Sequence, residues 1–163
     1  MRRLRPQVGA AFPPDGTYGH PDPIAISQLT AAALVCAAEA SFSPAGDRPH
    51  RASKFYYMID TQEVLQAYQQ IAGNLVMEAD GVVRRAVYWN DWTITTCLPS
   101  EPHWETTLRA QLCHRSQLPG FGAPERLPED LLRRVLTGGT FYRAYSLVNG
   151  GRTLETDLFA GIR

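Results

Sequence analysis

Hydrophobic and polar positions along the chain change period several times, and each change marks an element. Residues 24–40, IAISQLTAAALVCAAEA, are apolar around most of a helical circumference and contain no breaker. Such a run predicts a helix, and its lack of a polar face predicts burial. KFYYMI (54–59) is short and aromatic, the mark of a strand. In TQEVLQAYQQIA a helical stripe returns through Val64, Leu65, Tyr68 and Ile71, with Asp60 and Glu63 spaced as a capping box. LVMEA, Asp80-Gly81 and VVRRAVYW then predict a tight hairpin, because glycine tolerates the positive φ of a primed turn. Asn90-Asp91 leads on into WTITTCL, which completes an antiparallel meander. Ser100 is placed to cap a helix that runs to about Ser116, with Trp104, Leu108 and Leu112 on one side. LPGFGAP is a turn-rich connection. LPEDLLRRVLTGG is a short helix with acids leading, arginines trailing and glycines closing it. FYRAYSLV, Asn149-Gly150-Gly151 and RTLETDLFAGI predict a closing hairpin.

Ahead of these elements, Pro6, Pro13, Pro14, Pro21 and Pro23 predict an irregular N-terminal arm over residues 1–23. The remainder, 24–163, reads as a single α+β domain. The expected fold is an antiparallel sheet of about six strands, meander plus C-terminal hairpin, with helices packed on one face.

Charge removes some function classes. Sixteen basic and sixteen acidic side chains cancel, so no overall field draws the chain to nucleic acid or to an anionic membrane. No run approaches the stretch of about eighteen apolar residues that a membrane span needs. Cys36, Cys97 and Cys113 form no CxxC pair, which fits reduced thiols and a cytoplasmic setting in bacterial-type metabolism.

Candidate chemistry is sparse. His103-Trp104-Glu105 has an H-x-E spacing, but the downstream PCxxC of zinc nucleoside deaminases is missing. His103 and His114 lie about 16 Å apart on a helix, too far to share an ion. No metal and no cofactor are therefore expected. G-x-S-x-G and phosphate-binding loops are also missing. What remains is a set of cations and aromatics assigned to strands: Arg84, Arg85, Tyr88, Arg143 and Tyr145. Arg84 and Arg85 fall on opposite faces, so the alternation does not say which points inward. Glu155 and Asp157 are two apart on the last strand and share a face. Two accounts fit this set: a cross-strand ion pair such as Arg143 to Glu155, or a pocket for a small anionic or aromatic ligand.

YSLVNGGRTLETDLF resembles the closing hairpin of the chorismate lyase family, and ADGVVRRAVYW resembles that family's middle hairpin. The resemblance implies a metal-free lyase that removes pyruvate from an enol-pyruvyl substrate, with Asp157 in place of the usual glutamate. The family's ligand-binding arginine would fall at Gly73. On this reading Asp157 and Glu155 act as general acid or base with a pKa raised by burial. Arg84, Arg85, Tyr88, Arg143 and Tyr145 then bind a small aromatic or carboxylated metabolite. The alternative is a non-catalytic protein that binds a small ligand or, as a homodimer or accessory subunit, another protein.

Overall fold

The computed structural model describes residues 1–42, 46–74, 76–116, 127–137 and 139–163. The LPGFGAP connection and Gly138 of the terminal glycine pair lie outside the described residues.

The first departure from expectation is in the proline-rich arm. Val8–Ala11 forms a strand, β1, that pairs in parallel with β2 (Lys54–Met58). The reason is local: this stretch lies between Pro6 and Pro13 and contains no proline, so its backbone N–H groups are free to join a ladder. From β1 the chain passes a glycine-rich turn at Gly16–Gly19 and enters α1 (Pro21–Ala38). Pro21 stands in the first turn, where its missing N–H costs nothing, and the His20 ring caps the helix by accepting from the Asp22 N–H. The unit β1-α1-β2 is thus a parallel crossover. The inner stripe of α1 packs on the sheet, where Leu34 meets Phe55 and Ala52 and Leu34 also touches Gly9.

Thr61, rather than Asp60, caps α2 (Gln62–Ala72), its hydroxyl accepting from the Val64 N–H at 3.3 Å. Two short strands follow, β3 (Val76–Ala79) and β4 (Val82–Arg85), joined through Asp80 and Gly81 at positive φ. Asn90-Asp91 opens a 3-10 turn at Asp91–Thr93 rather than a hairpin. The next strand, β5 (Thr96–Cys97), pairs with β6 (Thr140–Ser146) and not with β4. A 3-10 turn over Glu101–His103 leads into α3 (Trp104–Leu112), with no side-chain bond from Ser100 to the helix N–H groups. Helix α4 (Glu129–Leu136) docks on α2 through Leu131, Val135 and Ala67, with Tyr68 and Ile71 beside them.

The architecture is α+β, but the single six-stranded antiparallel sheet is corrected. The described residues form a mixed four-stranded sheet in the order β1-β2-β6-β5 and a separate two-stranded ribbon β3-β4. The closing hairpin does not form as expected. After the Asn149-Gly150-Gly151 turn, the final segment touches the sheet through one parallel bridge between Thr96 and Glu155, and then curls into turns. A bulge where Phe55 and Tyr56 face Tyr145 and Arg143 leaves Ala144 without a partner. That extra residue sets Arg143 and Tyr56 on the same face as Glu155.

Candidate active site

Two acidic centres, one on each side of β2, are candidates for chemistry. The first is Glu155, fixed by its backbone bridge to β5. Its Oε1 accepts from Lys54 Nζ at 2.6 Å, Asn149 Nδ2 at 2.5 Å and Arg143 Nη1 at 2.9 Å. Its Oε2 accepts from the Tyr56 hydroxyl at 2.8 Å and the Thr96 hydroxyl at 2.9 Å. Lys54, Tyr56 and Thr96 are fully buried. Burial pushes the Glu155 carboxyl up, yet the donors from Lys54, Asn149, Tyr56 and Thr96 outweigh it and hold the pKa at about 2. Tyr56 moves the other way, pushed up by burial and by its bond to Glu155. The carboxylate has no lone pair left over for a substrate. The expected pKa rise at Glu155 is therefore corrected: the hydrogen bonds from Lys54, Asn149, Tyr56 and Thr96 produce a fall.

The second centre is built on the turn between β1 and α1. Gly16 and Gly19 have φ of 69° and 77°, and a Cβ on Gly19 would meet the Arg84 Cβ at 2.8 Å. Between them Thr17 sits at φ 66° and ψ −57°, a region that costs a β-branched residue about 1–3 kcal/mol. The surroundings hold it there. Asp15 Oδ1 accepts from the Thr17 N–H at 2.8 Å, and Asp15 Oδ2 accepts from the Trp89 indole N–H at 2.7 Å. The Val87 N–H donates to the Thr17 carbonyl and the Trp89 N–H to the Asp60 carbonyl, both at 3.0 Å. The residues after β4 therefore stitch the turn to the end of β2.

The electrostatics of this centre are the reverse of those at Glu155. Burial and the negative charge of Asp15 both push the Asp60 carboxyl up. No side-chain hydrogen bond to Asp60 is formed among the described residues. Tyr68 is pushed up to about 12 by burial and by Asp60. Arg84, half-buried against Gly19, has its Nε buried without a hydrogen-bond partner. His20 accepts at Nδ1 from the Asp22 N–H at 3.0 Å, an arrangement that leaves Nε2 as the ring's N–H donor. The Tyr18 ring lies 5.9 Å from it. An underpaired carboxylate, a half-buried arginine with an unpartnered Nε and a strained turn in one place make this the candidate site.

The residues expected from sequence are spread between and outside these centres. Arg143 and Glu155 are paired, as the ion-pair account requires, and Arg143 Nη2 also donates to the Gly151 carbonyl. Asp157 accepts from the Phe159 N–H at 2.9 Å in a local turn. Tyr145 packs in the α1 core and is pushed up by burial. Arg85 and Tyr88 are exposed. Only Arg84 reaches the turn. Asp15, His20 and Asp60 were not anticipated; the one local hint was a Gly-Thr-Tyr-Gly-His-Pro-Asp run placed directly before an apolar helix. Among the described residues, no three His, Cys, Asp or Glu side chains converge to hold a metal ion. His20 Nδ1 and Asp22 Oδ1 approach to 4.0 Å but stand as a pair.

Comparison with known proteins supplies a direction. No family profile matches the chain. The chain is similar to a 1D-myo-inositol 2-acetamido-2-deoxy-alpha-D-glucopyranoside deacetylase of Streptomyces avermitilis, 31% identical over 175 residues that cover 99% of this chain and 56% of that protein. Enzymes of the same name from Rhodococcus erythropolis and Thermobispora bispora are each 28% identical, over 99% of this chain and 56% and 59% of their own lengths. The chain spans about half the length of the curated relatives it matches. These similarities overturn the chorismate lyase resemblance and, with it, the cofactor-independent lyase reading. They run through the N-terminal arm as well as the sheet, and all point to deacetylases, which also removes support for a non-catalytic protein. The sequence had offered two generic hairpins for the lyase family; one of them, at the C-terminus, does not form.

Proposed function

We propose that the chain is part of a deacetylase-type hydrolase acting on an N-acetylated amino sugar joined to a cyclitol, as the names of its relatives describe. The observation that carries the reading is that similarity to these deacetylases extends over 99% of the chain. The turn at Asp15–Asp22, with Arg84 and Asp60, is the proposed substrate-facing surface. A polyhydroxylated substrate needs donors and acceptors in a partly dry setting, and this turn offers both.

The reaction is amide hydrolysis. Water adds to the acetyl carbon, the C–N bond breaks, acetate leaves, and the nitrogen takes a proton to become the free amine. Charge develops on the carbonyl oxygen as water adds, and a fixed N–H donor there lowers the barrier. His20 Nε2–H is the proposed donor. Asp60, held up by burial and by Asp15, is the proposed carrier of the proton lost by water. Arg84 Nε is proposed to take a sugar hydroxyl or ring oxygen. Because no three His, Cys, Asp or Glu side chains converge among the described residues, no step is assigned to a metal. A cytoplasmic location is proposed alongside, with Cys36, Cys97 and Cys113 free as thiols.

The test is amine release from the acetamido sugar named for the relatives, read by a primary-amine fluorophore, with acetate measured in parallel. Equal amounts of amine and acetate, together with a rise in Tm on adding the sugar, support the reading. No amine and no Tm shift at millimolar sugar would overturn it.

A further inference from the structure

Helix α1 has an outer face unlike that of an ordinary surface helix. Ile26, Leu29 and Val35 are 49%, 65% and 71% exposed, and Ala25, Ala32 and Ala33 lie exposed beside them. No charged side chain occurs between Pro23 and Ala38. A helix on the surface of a globular protein carries charge on its solvent side; one that is apolar all round is covered. Correcting the expectation from sequence, Pro21–Ala38 is long and apolar enough to cross a membrane by length and composition. Its inner stripe argues for a different cover, because Leu34 is locked against Phe55, Ala52 and Gly9 and both ends feed strands of one parallel crossover.

A second feature lies beside it. In the order β1-β2-β6-β5 the outer strand is β1, an uncharged VGAA run that is parallel to its neighbour. Parallel sheets are built from repeated crossovers with helices on their faces, and an open parallel edge is where the next strand adds. The two features face the same way. Val35 lines a depression with Tyr145 and Leu147, on the β6 side of the helix. Ala33 and Ala37 line another with Met1, Arg2 and Arg3, the residues that lead into β1. The Ile26 and Ala33 flank therefore overlooks the β1 edge. A bilayer would satisfy the apolar helix but leaves the strand's N–H and C=O groups without partners.

We propose that the outer face of α1 and the free edge of β1 are one docking surface, and that its occupant is a polypeptide folded like the part of the deacetylases outside the match. That part, nearly half of each relative, would add a parallel strand to β1 and an apolar face to Ile26, Leu29 and Ala33. The inference rests on the same relatives as the hydrolase reading, but it is decided by binding and not by turnover.

The test uses the 163-residue chain and the unmatched portion of the Streptomyces avermitilis relative, produced separately and checked for folding by circular dichroism. Light scattering after size exclusion should give a one-to-one complex, and Leu29→Glu should weaken it at least tenfold without lowering the Tm of the chain. Val83→Glu, an exposed change on the β3-β4 ribbon, should leave binding as it was. Hydrogen exchange on the same two pieces fused through a flexible linker should show new protection at Val8–Ala11 and Ile26–Val35. Unchanged exchange there would overturn the proposal. So would a homodimer broken by Leu29→Glu, which would make a second copy the occupant, or partition onto anionic phosphatidylglycerol vesicles that Leu29→Glu abolishes. Amine release with no complex would sink the docking surface alone, and a complex with no amine release would sink the hydrolase reading alone.

Discussion

Glu155, buried, and Asp60, half-buried, are carboxylates of one small fold, and they are treated in opposite ways. Glu155 is 7% exposed and saturated by Lys54, Asn149, Arg143, Tyr56 and Thr96. Asp60 has a second carboxylate, Asp15, as its electrostatic neighbour and no side-chain donor among the described residues. On the proposed reading, the difference separates structure from chemistry. A carboxylate whose lone pairs are all filled is a rivet that ties the C-terminal segment to β2, β5 and β6. One left underpaired beside a strained turn is available to a substrate or a proton, at a cost to the fold.

The largest expected effect breaks the rivet. Glu155→Ala leaves Lys54 charged and without a partner in the core, and should cost about 3–5 kcal/mol of stability by urea unfolding. Acid should act on the same group. The folded pKa is about 2 and the ordinary value is 4.5, so the folded state favours the ionised form. That stability is fully present above pH 4.5 and is lost as pH falls toward 2, a loss of about 3 kcal/mol. In Glu155→Gln, pH should move stability much less over that window.

Asp60 should behave in the reverse sense. Its folded pKa is raised, so its charge opposes folding once the pH is above the folded pKa, and not below the unfolded value. Asp60→Asn should therefore raise Tm at pH 7, leave it unchanged near pH 3, and lower amine release by about a hundredfold. His20→Ala removes the proposed Nε2–H donor and the cap of α1 together. It should lower amine release by about a hundredfold or more and cost about 1 kcal/mol of stability. The smallest effect sharpens the account of strain: Thr17→Gly relieves φ 66° and should stabilise the fold by about 1 kcal/mol.

Much of the fold was legible because its signals are local. The helix in 24–40, the aromatic strand at 54–58, the stripe of α2, the Asp80-Gly81 hairpin and α4 all follow from period, breakers and caps within a few residues. What failed depends on distant partners. Val8–Ala11 becomes a strand only because β2 lies beside it, and nothing in VGAA says so. WTITTCL has the alternation of a meander strand, but β6 takes Thr96 and Cys97 instead. The Arg143–Glu155 pair was legible as complementary charge; Lys54, Thr96 and Asn149 around it were not, since they come from separate elements. The turn centre was the least legible. Asp15 and Asp60 are brought together by Trp89, whose indole holds one and whose N–H holds the backbone of the other. Proline density hid the arm's role, because proline marks a tight turn as readily as a loose tail.

The most direct test of the central claim, that chemistry sits at the turn and not at Glu155, is amine release by Asp60→Asn and Glu155→Gln at a temperature where both are folded. The account predicts that Asp60→Asn loses about a hundredfold in rate while its Tm rises, and that Glu155→Gln keeps its rate once folded. The opposite pattern, full activity in Asp60→Asn and a folded but inactive Glu155→Gln, would contradict it and return the site to the sheet.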